Sequence, residues 1–287
     1  MIKIRNRYLT VKIDKLGAEI KSVLAGKSKK EMMWQGDDAW SGTSPILFPF
    51  CGGLKDNKYI YNDTEYTFKK KHGFARDLEF EVIKKSKKSV ILLLKANEET
   101  LEIYPFDFEL KVTYTVTNRN LITEYAVKNK GKNKMYFSIG SHESYFCEGG
   151  IQNYDIVFPS SQNLKRSIMN NGLVTKETER MTKNGRFLPL LEDFFKDYSI
   201  VLRKIPFNSL VLRNRITAER KKLVFPGAEN LVVWAIPGKD FVCIEPWCGL
   251  PDTEESDGKI ENKESIVSLK AGKTKRFMHK TVFLPKL

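Results

Sequence analysis

Short runs of alternating apolar and polar residues, separated by turn residues, recur along this chain from one end to the other. Successive residues of a β-strand point to opposite faces, so this period of two is typical of half-buried strands. The segment 110–127 shows the pattern twice, on both sides of a turn at Asn118-Arg119-Asn120. A second hairpin pattern spans residues 58–68 around Asn62-Asp63. Residues 80–94 contain two apolar runs around a charged turn, and further strands are predicted at 154–158, 199–203, 208–213, 222–225, 230–236, 240–245, 265–269 and 274–284.

Helical patterns are few and short. One covers 97–103, and another covers 189–197, where Pro189 is suited to the first turn. Many short strands with turns between them favour an antiparallel sandwich over alternating strand–helix units. No linker, low-complexity tract or internal repeat divides the 287 residues. We therefore predict a single all-β domain over residues 1–287, a large antiparallel β-sandwich with a few short helices.

The charge of the chain is strongly basic, with 49 Lys and Arg residues against 35 Asp and Glu residues and a net charge of +14. Such an excess is compatible with a phosphorylated or polyanionic partner, and equally with a solvated lysine-rich surface. The densest clusters, at 27–30, 69–71 and 84–88, fall at predicted turns and strand ends. They are not accompanied by a basic helix, an aromatic RNA-binding motif or a zinc finger, so we predict no nucleic-acid partner.

Cysteine spacing and the first residues indicate the compartment. Cys51, Cys147, Cys243 and Cys248 form no CxxC pair and lack the spacing of a disulfide framework, which favours reduced thiols. The segment MIKIRNRYLTVKI has no apolar signal region, and no apolar stretch approaches the length of a membrane span. We expect a soluble cytoplasmic protein with no membrane partner.

Only three histidines are present, and two of them lie close to glycines. His72 precedes Gly73 in KKHGFAR, and His142 follows Gly140 by two residues in SIGSHESYF. Glycine lets the backbone turn sharply or approach a ligand, so both histidines are candidates for a site. A structural imidazole within a turn is the alternative for each of them. His279 lies in a regularly alternating strand, and we assign it a structural role.

The segment FVCIEPWCGLPD, residues 241–252, places a carboxylate among apolar residues. Cys243, Glu245 and Trp247 share one face of a strand, because they are spaced two apart. Desolvation raises the pKa of such a carboxylate toward the range of a general base, and Trp247 offers a flat face for a pyranose ring. The alternative places Glu245 at a solvated sheet rim, with Trp247 as an ordinary core residue.

The segments HGFAR (72–76), GSH (140–142) and CIEPW (243–247) occur in an order and at a spacing similar to those of the aldose 1-epimerase (galactose mutarotase-like) family, closest to its LacX-like branch. Segments at 45–49 and 104–106, together with Trp234, support the resemblance, which spans nearly the whole chain. It implies a sandwich of the galactose mutarotase type with a sugar-binding cleft on one sheet.

The resemblance also implies roles in a cofactor-free and metal-free opening of a monosaccharide ring. Glu245 would be the base for the anomeric hydroxyl, His142 the acid for the ring oxygen, and His72 a hydrogen-bonding partner of the sugar. Predicted substrate-binding residues are Arg76, Asn208 and Trp247.

Three positions depart from the family pattern. Gly53 stands where many relatives carry an arginine, for which Lys55 or Arg76 is a candidate replacement. Asn208 stands where many carry an aspartate, and Glu143 where a proline is usual.

Other functions are compatible with the same residues. A hexose 6-phosphate epimerase would explain the basic charge, and a non-catalytic carbohydrate-binding protein on the same fold would explain the departures. Zinc binding by His72, His142 and Glu245 has no supporting HExxH motif. Glycoside hydrolysis needs a second buried acid, and we expect Asp252, Glu254 and Glu255 to be solvated. The sequence is compatible with both a monomer and a homodimer.

Overall fold

Two large antiparallel sheets dominate the computed structural model, which describes residues 1–197 and 199–284. Strands make up 51% of the structure and helices 8%, so the predicted all-β fold is confirmed. In spatial order, the nine-stranded sheet contains β18 (Gly185–Pro189), β15 (Tyr154–Gln162), β20 (Ser209–Asn214), β21 (Arg220–Val224), β25 (Thr274–Leu284), β11 (Asn120–Asn129), β10 (Phe108–Thr117), β9 (Ser89–Lys95) and β8 (Glu81–Lys85).

The eight-stranded sheet carries the candidate site. In spatial order it contains β17 (Leu173–Arg180), β16 (Lys165–Asn170), β19 (Ile200–Leu202), β22 (Asn230–Trp234), β23 (Phe241–Cys248), β13 (Ile139–Ser141) and β5 (Ile46–Leu47), with β14 (Glu143–Phe146) also paired to β23. The smaller sheets contain β1 (Ile2–Arg5), β2 (Leu9–Ile13), β3 (Ile20–Ala25) and β4 (Lys30–Glu31); β6 (Lys58–Tyr61) and β7 (Thr64–Thr67); and β12 (Met135–Phe137) and β24 (Val267–Leu269).

Both hairpins predicted from alternation are confirmed. β10 and β11 pair from Phe108 opposite Asn129 to Thr117 opposite Asn120, and every second side chain is buried. β6 and β7 pair around Asn62 and Asp63, which both have positive φ. Two consecutive residues of positive φ form the type I′ turn that matches the twist of a two-residue hairpin.

The α-helix of the described region is α1 (Glu98–Ile103), which confirms the pattern at 97–103. Its N-cap is Asn97, whose side chain accepts a hydrogen bond from the backbone of Thr100 at 2.9 Å. Single 3₁₀ turns occur at Lys55–Asn57, Ala75–Asp77, Ile151–Asn153, Glu192–Phe195 and Ile260–Asn262. None of the helices among the described residues has the length and apolar character that a membrane span requires.

The predicted helix at 189–197 is wrong. Pro189 is the last residue of β18, and the Leu190 amide donates to Tyr154 O at 3.0 Å. β18 is an edge strand, where the missing amide hydrogen of a proline costs no ladder bond. Only the 3₁₀ turn Glu192–Phe195 is helical, because sheet pairing uses the start of the segment.

The apolar core lies between the two large sheets and joins them. Phe48, next to β5, lies 4.9 Å from the ring of Phe108 on β10. Polar groups also bridge the sheets: the Tyr145 hydroxyl on β14 lies 2.8 Å from the Thr281 hydroxyl on β25. His279 has the predicted structural role, since its Nε2 lies 2.7 Å from a Glu143 oxygen inside this core.

Strand β23 is buried on both faces, which explains how one strand serves both core and site. Val242 and Ile244 belong to the core between the sheets. The alternate residues Glu245 and Trp247 face the other side, where they line a cleft. All eight residues of β23 are buried, so other segments of the chain also cover this strand on the side of the cleft.

Candidate active site

The strand pairing of β23 brings His142 next to Glu245. Gly140 on β13 is opposite Trp247, and Glu143 on β14 is opposite Ile244. His142, the residue between β13 and β14, therefore lies beside Glu245. His142 Nε2 lies 3.5 Å from Glu245 Oε2. Only 11% of the His142 side chain and 1% of the Glu245 side chain are exposed to solvent. The two residues therefore form a buried pair at the floor of the cleft.

His72 reaches the pair from a tight loop. Gly73, with φ of +76°, passes so close to Phe48 that a Cβ atom there would lie 2.1 Å from Phe48 O. The His72 backbone donates to Gly52 O at 2.9 Å, and the Gly52 amide donates to His72 Nδ1 at 3.1 Å. Because Nδ1 accepts, the neutral ring carries its hydrogen on Nε2. The His72 ring lies 5.5 Å from the His142 ring, so the three predicted catalytic residues do converge.

Three tryptophans surround the histidines. Trp247 lies 5.6 Å from the ring of His72 and donates from Nε1 to Ser141 O at 3.2 Å. Trp40 and Trp234 lie 5.3 and 5.6 Å from the ring of His142. These rings offer the flat apolar surfaces against which the C–H face of a sugar packs.

The cleft has a volume of about 730 Å³, within the size range of small-molecule sites. The sequence predicted only part of its polar rim: Arg76 lines the cleft as expected, and Lys71 and Asp197 line it without having been predicted. Trp40 was also missed, since it follows Asp37-Asp38-Ala39 without a recognisable pattern. The turn after β16 contributes Asn171 and Gly172, and β19 is preceded by Ser199 at the rim.

Asn208 is not brought to the cleft. It is exposed, precedes β20 in the nine-stranded sheet, and its carbonyl accepts from Phe225 N at 2.8 Å. The cleft lies on the eight-stranded sheet, so the predicted sugar contact of Asn208 has no structural basis. Asp197 is an exposed carboxylate that does line the cleft, and the only hint of it in the sequence was the polar end of PLLEDFFKD.

The space beside Gly53 is taken by Lys71 rather than by Lys55. A Cβ atom on Gly53 would lie 3.6 Å from Lys71 Cγ, and one on Gly172 would lie 2.9 Å from Lys71 Nζ. The Lys71 side chain therefore extends past Gly53 toward the turn after β16. Lys55 Nζ instead donates to Glu254 O at 2.7 Å and is held by the 254–256 loop.

Asp252 is buried, contrary to the expectation that it is solvated. Its carboxylate accepts from Lys263 Nζ at 2.5 Å and from the Lys55 amide at 2.9 Å. Its amide donates to Gly53 O at 2.9 Å, and its carbonyl accepts from Val174 N at 2.9 Å. Asp252 thus fastens the Gly52-Gly53 loop, and with it His72, to the hairpin formed by β16 and β17.

Burial controls the protonation of the His142–Glu245 pair. Desolvation raises the pKa of Glu245 well above its ordinary value and lowers the pKa of His142 to about 3. Desolvation, reinforced by the nearby His142, Arg76 and Lys71, lowers the pKa of His72 well below its ordinary value. At neutral pH both imidazoles are therefore uncharged, and burial favours the protonated form of the Glu245 carboxyl group.

Unpartnered atoms make this pair a candidate binding site. Both carboxyl oxygens of Glu245 and Nδ1 of His142 are buried and have no hydrogen-bond partner among the described residues. Buried polar groups are nearly always partnered, so such atoms indicate a ligand that supplies the missing bonds. One group of side chains in the described region has the spacing to hold a metal ion, but it consists of His142, Cys243 and Glu245 rather than the two-histidine set considered from the sequence. The four cysteines are all free and buried.

Comparison with known proteins agrees with this geometry. The aldose 1-epimerase family model matches residues 1–277. The plasmid-encoded protein LacX of Lactococcus lactis is 32% identical, and the match covers 93% of this chain and 94% of that protein. A galactose mutarotase related enzyme from Lactobacillus acidophilus superposes with a TM-score of 0.94 at 30% identity, covering 99% of this chain and 97% of the other.

A galactose mutarotase-like protein from Lactobacillus casei has a TM-score of 0.92 at 28% identity, with 98% and 99% of the two chains covered. The sandwich is therefore of the galactose mutarotase type. The match of the family model over nearly the whole chain, together with these relatives, shows that the protein belongs to the aldose 1-epimerase family.

Proposed function

We propose that this protein interconverts the α and β anomers of an aldohexose by acid–base opening of the ring. The observation that carries the proposal is the buried pair of His142 and Glu245, 3.5 Å apart, whose unpartnered atoms face a cleft lined by aromatic rings. Anomer exchange requires a base at the anomeric hydroxyl and an acid at the ring oxygen, which are attached to the same carbon. Two adjacent side chains of opposite function meet that requirement.

In the proposed reaction, Glu245 takes the proton from the anomeric hydroxyl while His142 donates a proton to the ring oxygen. The C1–O5 bond breaks and the C1 carbonyl forms, so charge and protons balance. Rotation about C1–C2 and the reverse steps then give either anomer. His72 donates from Nε2, because Gly52 occupies its Nδ1. Each positioned acid or base contributes on the order of 10²–10⁴ in rate.

A single proton shared by Glu245 and His142 is sufficient for this reaction, and burial favours the state in which the carboxyl group holds it. With the proton on the carboxyl group the pair is resting, and with it on the imidazole the pair has both the base and the acid that the reaction needs. The two arrangements have the same net charge, so a shift between them requires no exchange with solvent. A sugar whose hydroxyl and ring oxygen bridge the two groups provides the hydrogen bonds that each lacks.

The cleft walls are suited to hold the sugar. Trp247 would pack against one face of the ring, and Lys71 and Arg76 would donate to hydroxyl oxygens. Asp197 would accept from hydroxyl hydrogens at the rim. Lys71 takes the place beside Gly53, so the arginine missing from this chain has a cationic substitute from a neighbouring loop.

Polarimetry of freshly dissolved α-glucose and α-galactose tests the activity. We expect the wild-type protein to accelerate the approach to equilibrium, and Glu245→Gln to lose at least about a hundredfold in rate, because the amide cannot act as a base. Glu81→Gln, which changes an exposed glutamate on the edge strand β8, is the matched control and keeps the wild-type rate. Full activity in Glu245→Gln would exclude the proposed base.

A hexose 6-phosphate is the second candidate substrate. Lys71 and Arg76 line the cleft, and neither has a carboxylate partner among the described residues. A comparison of glucose with glucose 6-phosphate decides between the two, since a phosphate-binding cleft would give the phosphorylated sugar the higher kcat/KM. Binding of a sugar without any acceleration would instead indicate a carbohydrate-binding protein without catalytic function.

A further inference from the structure

Cys243 has no part in the proposed ring opening, yet it lies against the groups that do. It precedes Glu245 by two residues on β23, so both side chains point to the same face. The Cys243 thiol, a His142 ring nitrogen and a Glu245 carboxyl oxygen all lie within 4.8 Å of one another. All three residues are buried, with Cys243 at 0% exposure.

We propose that His142, Cys243 and Glu245 form a binding site for a zinc-type divalent cation, and that the bound cation blocks the sugar site. Thiolate, imidazole and carboxylate are the three side-chain ligands that zinc accepts, and three protein ligands leave a fourth position open. In this chain the open position would face the cleft, where the sugar hydroxyl would otherwise sit. Inhibition by the cation rests on the proposed function, whereas binding of the cation does not.

The distances suit a small tetrahedral ion. Zinc–ligand bonds of about 2.0–2.3 Å place the ligand atoms of one ion about 3.3–3.8 Å apart. His142 Nε2 and Glu245 Oε2 already lie 3.5 Å apart. The thiol needs only a side-chain adjustment, because no pair of the three ligand atoms is separated by more than 4.8 Å.

The hydrogen-bonding state of the ligands favours a cation. Neither Glu245 oxygen has a hydrogen-bond partner among the described residues, so coordination would satisfy a buried carboxyl group whose nearest charged neighbour is His142 at 3.5 Å. The Cys243 sulfur and a Glu245 oxygen are close enough for their anions to repel each other, and a divalent cation bound by both removes that repulsion.

Binding balances without any redox change. The cation forms bonds to the Cys243 sulfur and a Glu245 oxygen, and the thiol and carboxyl protons leave to solvent. His142 contributes the lone pair of an unprotonated ring nitrogen and loses no proton. Binding of one cation thus releases up to two protons.

Zinc and cobalt titrations of the purified full-length chain test the proposal. We expect equilibrium dialysis to give one zinc ion per wild-type chain, and cobalt to give the near-ultraviolet absorption of a cobalt–thiolate bond. Cys243→Ala should bind zinc at least about tenfold more weakly, because even loss of a group outside the coordination sphere costs 10–100-fold. It should also lose the cobalt–thiolate band. Cys147→Ala is the matched control, since Cys147 is another buried free cysteine outside the cluster.

Mutarotation assays then link binding to function. Zinc should inhibit the wild-type protein and Cys147→Ala, whereas Cys243→Ala should keep its basal rate and resist the inhibition. Should the alanine variant fail to fold, Cys243→Ser preserves the volume and tests the same sulfur. Equal zinc affinity in the wild type and both Cys243 variants would overturn the site, as would the absence of zinc binding to the wild type. Zinc binding through Cys243 in a protein without mutarotase activity would retain the site and reject only the proposed function.

Discussion

Substitution of Asp252 by asparagine should both destabilise the protein and disturb His72. The carboxylate is 4% exposed and is paired with Lys263, whose side chain is 3% exposed. Asparagine is close in size but leaves the buried ammonium without a counter-charge. Its single amide oxygen cannot accept as strongly from both Lys263 and the Lys55 amide.

The size of the effect follows from burial. Removal of one partner from a buried ion pair costs about 3–5 kcal/mol, because an uncompensated charge remains. An unfolding entropy of about 2.1 cal/mol/K per residue gives about 0.6 kcal/mol/K for a chain of 287 residues that unfolds as one unit. The melting temperature should therefore fall by about 5–8 °C.

The second effect concerns catalysis. Asp252 holds Gly53, and the neighbouring Gly52 holds His72 at both its backbone amide and Nδ1. A displaced His72 should lower kcat/KM by about 10- to 100-fold, since small misplacements of a positioned group are costly. Nitrogen NMR of labelled histidine should show a shift of His72 Nδ1 with His142 and His279 little changed.

Glu219→Gln is the matched control for this prediction. Glu219 is 3% exposed and pairs with the buried Lys221 at 2.7 Å, away from the cleft. It should lower the melting temperature by a similar amount and leave kcat/KM unaltered. The reasoning is refuted if Asp252→Asn has the melting temperature of the wild type. It is also refuted if Asp252→Asn is less stable but shows no change in the His72 Nδ1 resonance or in kcat/KM at temperatures below melting.

Three other predictions concern the cleft. Gly140→Ala would place a Cβ atom 2.4 Å from Trp247 Cδ1. We therefore expect the free energy of unfolding in urea to fall by about 1–3 kcal/mol and KM to rise. An unchanged KM would show that Trp247 does not contact the sugar. Lys71→Met should raise KM severalfold with kcat retained, whereas Lys69→Met should not, and equal effects of the two would indicate general electrostatics. The pKa of His142 is lowered to about 3, so its contribution to stability is complete above about pH 6.5 and is lost as pH falls. Glu245 and His72 also titrate differently on folding, so the test is a difference: between pH 5 and 7 the free energy of urea unfolding should rise less steeply with pH in His142→Asn than in the wild type, by up to about 1.4 kcal/mol per pH unit.

Much of the fold was accessible from the sequence because strand alternation is a local signal. The 110–127 and 58–68 hairpins were placed correctly, since the turn residues and the period of two agree with each other. The helix predicted at 189–197 failed because pairing of β18 with β15, a contact between distant segments, overrides the local pattern. The proposal of one domain over residues 1–287 remains a prediction.

The candidate site was only partly accessible. His72, His142 and Glu245 stand in recognisable motifs, and the structure brings them together. Trp40 and Asp197 lie in segments without a motif, and only tertiary structure brings them to the cleft. Lys71 adjoins His72 in the sequence but was assigned to a basic cluster at a predicted turn. Asp252 appeared solvated because its loop is polar, whereas Lys263 lies far enough along the chain that no local pattern reveals the buried pair.

The most direct test of the proposed mechanism is proton NMR exchange between the α and β anomeric resonances of glucose at equilibrium, where no net reaction is needed. Wild-type protein should accelerate the exchange at pH 7, and Glu245→Gln and His142→Asn should each return it to the buffer rate while ligand titrations still detect sugar binding. Exchange at the wild-type rate in either variant would contradict the claim that this buried pair opens the ring.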